Sequence, residues 1–232
     1  MVLVSAEKIE AYTCRGWWGT KTLWDCFVAN VGQWGGREAV VDAPNRAEFT
    51  HGAPRRLSWS QLADEVDRFC VVLLDQGLRR DAVVLVQLPN CVEQFVVYLA
   101  CARLGIVVTP VPIQYREHEL AHILDITQAQ AAVTFARIGK PEGGHPTAQM
   151  LLELRVQHPS LKTVMAWGDA AVAGCVDLAT TNPLALTAND QQRLARAVQD
   201  AAVTANDVFS ICWTSGTEAQ PKGVPQIGRA HV

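Results

Sequence analysis

No Cys-x-x-Cys pair occurs in this chain. Its seven cysteines, at positions 14, 26, 70, 91, 101, 175 and 212, are widely spaced, which excludes a zinc knuckle or a thioredoxin-like redox motif. Most of them sit among apolar residues, where a free thiol acts as a small hydrophobe. Their odd number and surroundings suit a reducing, cytoplasmic setting and give no context for a catalytic cysteine. An excess of one charge is missing too. Lys and Arg total 20 against 23 Asp and Glu, a net charge of −3. The only adjacent basic residues are Arg55-Arg56 and Arg79-Arg80. That balance argues against nucleic acid or an anionic membrane surface as a partner. The most apolar window, Phe95 to Ile113, contains Arg103, Pro110 and Pro112. It reads as helix, turn and buried strand rather than a membrane span. Met1–Val4 is too short for the apolar core of a signal peptide, and charges follow at Glu7, Lys8 and Glu10. There is no internal repeat and no low-complexity tract.

What is present is a chain that can bury a core: 232 residues, 49% of them hydrophobic, enough for one large domain or two small ones. Residues 1–55 read as an irregular lead-in. Tyr12, Trp17, Trp18, Trp24, Phe27 and Trp34 would pin it by burying large aromatic area. Thr22 could cap a short helix, and Glu38–Asp42 looks like a strand. Regularity improves from residue 56. Ser60 is a plausible N-cap for a helix carrying Leu62, Val66, Phe69, Cys70, Leu73 and Leu74 at helical spacing, closed by Gly77. Ala82–Leu88 is a buried strand. Asn90 with Glu93 has the capping-box offset and opens a helix to about Leu104. Further strands are expected at Ile106–Thr109, Ala131–Phe135 and Thr163–Trp167, and helices at about Glu117–Thr127, Ala148–Gln157 and Gln191–Val198. Strand and helix alternate, which predicts an α/β fold: an open, mostly parallel sheet with helices on both faces.

Near the end, the strand Val208–Trp213 runs into Thr214-Ser215-Gly216-Thr217-Glu218-Ala219-Gln220-Pro221-Lys222-Gly223. Three hydroxyls, two glycines that free the backbone and one mobile cation suit a loop that holds an anion at a strand end. It is not a Walker A loop, because Pro221 precedes the lysine and Gly223 follows it. Residue types alone also fit an ordinary polar turn. The spacing carries more: Thr-Ser-Gly-Thr-x-x-x-Pro-Lys-Gly resembles the phosphate-binding signature of the adenylate-forming superfamily, which includes acyl- and aryl-CoA ligases and aryl-acid adenylating enzymes. The chain departs from the common family form at Glu218 and Ala219. Softer likenesses extend the resemblance over about residues 12–226: Gly16-Trp17-Trp18, Leu57–Leu62, Leu88-Pro89-Asn90 and Arg103–Ile106.

The resemblance implies the N-terminal part of an ATP-dependent acid–thiol ligase. A carboxylate attacks the α-phosphate of Mg-ATP, and the thiol of CoA or of a carrier protein then displaces AMP. It assigns Thr214, Ser215, Gly216, Thr217, Lys222 and Gly223 to the ATP phosphates. The cofactors implied are ATP and Mg2+, with CoA as co-substrate and a small carboxylic acid as substrate. The family's adenine pocket, acidic Mg2+ ligand and late lysine lie beyond the matched stretch, so no catalytic residue is expected here and the chain by itself is expected to be inactive. Ile227–Val232 is identified as one reading frame of a common sequencing-adapter oligonucleotide. The expected divisions are therefore residues 1–55, 56–226 and 227–232.

Two other readings stand beside this one. His118-Glu119-Leu120-Ala121-His122 matches His-Glu-x-x-His, whose histidines share a helix face and could bind zinc with Glu119 as general base, as in a zinc hydrolase. No clear third ligand follows. The alternative for that helix is Leu120, Ile123 and Leu124 packing inward with the histidines at the surface. The last reading is a non-catalytic fragment that binds a partner through an apolar face.

Overall fold

The structure is a computed structural model and describes residues 1–140, 142–214 and 221–229. The lead-in is more regular than expected. It holds helices α1 (Ala6–Cys14) and α2 (Leu23–Trp34) and strand β1 (Glu38–Val41). Thr22 starts α2 with a full capping box: its hydroxyl accepts from Asp25 N–H, and Asp25 accepts from Thr22 N–H. β1 pairs antiparallel with β2 (Arg56–Ser58) in a separate two-stranded ribbon.

The main sheet is built from β3 (Val83–Gln87), β4 (Val107–Pro110), β5 (Ala131–Phe135), β6 (Thr163–Trp167), β7 (Val176–Asp177), β8 (Val208–Thr214) and β9 (Lys222–Ile227). Among the described residues its order is β7-β6-β5-β3-β4-β8-β9, with every neighbouring pair parallel except β8–β9. The helices are α3 (Trp59–Asp75), α4 (Val92–Leu104), α5 (Glu117–Thr127), α6 (Thr147–Gln157), the short α7 (Leu178–Thr181) and α8 (Ala188–Ala201). From β3 the chain crosses through α4 to β4 on one side, and α5 then returns it to β5 on the other. Strand direction of progress reverses at β3, as in doubly wound α/β proteins.

Alternation along β3 shows why both faces are covered. Val84 and Val86 join Phe69, Val97, Leu104 and Leu194 on the α3/α4/α8 side. Val83 and Leu85 join Leu120, Ile123, Leu124 and Leu151 on the α5/α6 side. The three residues of α5 expected to pack inward are fully buried.

Two sequence expectations need correction. α3 is capped by Ser58, not Ser60, because Gln61 lies three residues after Ser58 and completes the reciprocal bonds. α4 has no Asn90–Glu93 box. Its first turn is satisfied from afar, Val92 N–H donating to Asp42 Oδ1 at 2.8 Å, while Glu93 turns inward to Arg46. After the glycine-rich loop the chain stays in the sheet. It folds back as β9, pairing along β8 from Thr214↔Lys222 to Val208↔Ile227 and satisfying the backbone groups that edge would otherwise expose. Arg229, just beyond, is buried with its guanidinium over the Trp18 ring.

Candidate phosphate-binding hairpin

β8 delivers the glycine-rich loop at its C-terminal end, and β9 takes the chain away. Of the predicted site residues, Thr214, Lys222 and Gly223 fall within the described residues; Ser215, Gly216 and Thr217 lie outside them. Thr214 and Lys222 are direct cross-strand partners. Opposed residues of an antiparallel pair project to the same face with their Cβ atoms about 5 Å apart. One hydroxyl and one ammonium, both exposed, therefore stand side by side at the mouth of the loop. That donor set suits a polyanion, and among the described residues neither side chain is tied up in a hydrogen bond or ion pair.

Gly223 has a different role from the one its residue type suggests. Its φ is not positive, so it supplies no unusual backbone angle. A Cβ there would meet Ile211 Cγ2 at 3.0 Å and Trp213 Cη2 at 3.1 Å. Any side chain there would press on the Ile211 and Trp213 side chains, which would have to give by a few tenths of an ångström. Trp213 is itself anchored, its indole N–H donating to Thr109 Oγ1 on β4 at 2.7 Å.

The helix carrying the His-Glu-x-x-His motif packs beside this hairpin. His118 is exposed. Glu119 Oε2 accepts from Arg116 N–H at 2.9 Å, and this backbone hydrogen bond is the main cause holding its carboxyl below the ordinary range. Glu119 thus serves the N-terminus of α5. His122 is half-buried against Trp213, ring centroids 6.4 Å apart, with Nε2 3.2 Å from the Pro221 carbonyl oxygen. Among the described residues no three His, Cys, Asp or Glu side chains converge as a metal site. The structure brings His122 to the loop and leaves His118 apart from it.

A buried ionic cluster escaped the sequence reading. Arg46 donates to Asp42 at 2.6 Å and to both oxygens of Glu93 at 2.9 and 2.8 Å, with Arg55 3.3 Å from Glu93. Burial pushes the Glu93 carboxyl up, but the hydrogen bond and charge of Arg46, with Arg55 behind it, hold it below its ordinary value. Its members lie in a polar loop, at a strand end and in a helix, so no local pattern could reveal it.

Comparison with known proteins identifies the family. The model of a family described as AMP-binding enzyme matches residues 27–229. A 2-hydroxy-7-methoxy-5-methyl-1-naphthoate–CoA ligase from Streptomyces carzinostaticus is 31% identical over 209 residues, 87% of this chain and 36% of that protein. A medium-chain fatty-acid–CoA ligase from Escherichia coli K12 is 28% identical over 222 residues, 94% of this chain and 35% of its own length. The chain thus spans about a third of the length of the curated relatives it matches. The apo structure of MbtA from Mycobacterium smegmatis superposes with a TM-score of 0.76 over 97% of this chain and 37% of that one, at 23% identity, which establishes a shared fold. With most of its length matched by the family model and a relative above 30% identity, the chain belongs to the AMP-binding enzymes, the adenylate-forming family that its Thr-Ser-Gly-Thr loop resembles.

Proposed function

We propose that this chain is the N-terminal part of an ATP-dependent carboxylate–CoA ligase and that its β8–β9 hairpin holds the β- and γ-phosphates of the nucleotide. In such a reaction a carboxylate oxygen attacks the α-phosphorus, the bond to the β-phosphate's bridging oxygen breaks, and pyrophosphate leaves. A thiol sulfur then attacks the acyl carbon of the adenylate, and AMP leaves with the electron pair of the carbon–oxygen bond. The observation that supports the reading best is the cross-strand pair Thr214–Lys222 at the end of β8. Lys222 would neutralise charge gathering on departing pyrophosphate, and Thr214 would donate to a phosphate oxygen, so both act by positioning and charge stabilisation. Ser215, Gly216 and Thr217 share this role through the loop signature, and Gly223 sustains it by leaving room for Trp213. Mg2+ would arrive with the phosphates, where it screens their charge. The two relatives' CoA ligase activities favour a carboxylic acid and CoA as the other substrates.

The test is calorimetric titration of the chain with inorganic pyrophosphate and with Mg-ATP. Lys222→Ala should weaken both by about 10- to 100-fold, the range of a charge-assisted contact worth about 1.5–3 kcal/mol. Lys162→Ala, an exposed lysine at the entrance to β6, should change neither. Equal affinities for Lys222→Ala and wild type would defeat the assignment. The chain alone, spanning a third of its relatives' length, should bind pyrophosphate without catalysing ATP–pyrophosphate exchange.

A further inference from the structure

Among the described residues no metal cluster includes His122, yet it is not an idle surface residue. It sits on α5 with its ring against Trp213, and Nε2 reaches the carbonyl oxygen of Pro221, 99 residues later, at 3.2 Å. A carbonyl oxygen only accepts, so the ring must carry its proton on Nε2 to make this bond. Pro221 immediately precedes Lys222, the first residue of β9. The bonded peptide is therefore the one that joins the loop's exit to the lysine at its mouth.

The surroundings show that this contact is part of a brace. Trp213, the residue before Thr214, is fixed from β4 by its bond to Thr109. Gly223, the residue after Lys222, leaves the space the Trp213 ring fills. Thus β4 and β8 fix the entry side of the loop, and its exit is held by pairing with β8 and, from α5, by the His122 hydrogen bond.

We propose that His122 is a positioning residue for the phosphate loop: with its proton on Nε2 it holds the Pro221–Lys222 peptide so that the Lys222 ammonium is aimed at the bound phosphates. The proposal rests on the phosphate-binding reading of the hairpin, and the experiment separates the two. Inorganic pyrophosphate is titrated into wild type, His122→Phe, His122→Gln and Lys222→Ala, each also melted to compare Tm. Phe keeps a flat ring against Trp213 without a donor, whereas Gln restores an N–H at similar reach. The expected result is pyrophosphate binding weakened about 10-fold in His122→Phe and restored to within about threefold of wild type in His122→Gln.

Loss of binding in Lys222→Ala with unchanged binding in His122→Phe overturns the positioning role and leaves the phosphate site standing. Unchanged binding in Lys222→Ala overturns both. If the substitutions prevent folding, the wild-type chain still decides the matter. A long-range 1H–15N spectrum of its histidines should show six rings, one locked as Nε2–H near neutral pH. An Nδ1–H tautomer for His122, identified by its loss of the Nε2-bound proton, would overturn the proposal.

Discussion

At the scale of single residues, the site depends on what neighbours leave free. Gly223→Val places branched carbon where Trp213 and Ile211 already pack. It should cost about 1–3 kcal/mol, the usual range for overpacking, visible as a lower urea midpoint and altered tryptophan fluorescence. The cysteines sort by burial. Cys14 and Cys212 are exposed, while Cys70, Cys91 and Cys101 are buried. Burial pushes the Cys91 thiol up to about 12, with the Glu93 charge adding to it, and raises Cys70 and Cys101 as well. A thiol reagent at pH 8 should therefore modify Cys14 and Cys212 fast in the native protein, and the three buried thiols only after denaturant is added.

At the scale of elements, helix starts separate what local sequence can specify from what it cannot. Thr22–Asp25 and Ser58–Gln61 are reciprocal boxes written in four consecutive residues. Ser58→Ala should lower stability by about 1 kcal/mol, read as a shift in denaturant midpoint at constant m-value. The start of α4 follows other logic. Its donor, Val92 N–H, is met by Asp42, fifty residues earlier, and Asp42 is held by Arg46. Asn90 and Glu93 have the right spacing for a box, but burying Arg46 without carboxylates would cost far more than a helix cap supplies, so Glu93 goes to the arginine. The α5 motif shows the same rule: the four-residue spacing puts two histidines on one face, and only the arrival of the β8–β9 hairpin gives one of them a partner.

At the scale of the whole molecule, the Arg46 cluster ties the β1 region, the loop after it and α4 to the main sheet. Removing its cation strands buried carboxylates, so Arg46→Met should destabilise by about 3–5 kcal/mol, measured by urea unfolding at pH 7. The sign of the pH effect follows from Glu93, whose folded pKa lies below its unfolded value. Its contribution is fully present above the unfolded carboxylate range, about 4.3, and is lost as pH falls through the folded value. Stability should drop on acidification below about pH 4.5, and that acid limb should be shallower in Arg46→Met.

The sequence by itself determined the α/β alternation, both faces of the sheet and the position of the glycine-rich loop, because hydrophobic periodicity and the loop signature are local patterns. α5, β5 and β6 fall where that periodicity places them. Only the tertiary structure decided which strands are neighbours, that the chain doubles back as β9, that Gly223 serves a tryptophan, and that His122 faces Pro221. Those outcomes depend on contacts between residues tens of positions apart, set by how strands order and helices pack, and no short window of sequence encodes such separations.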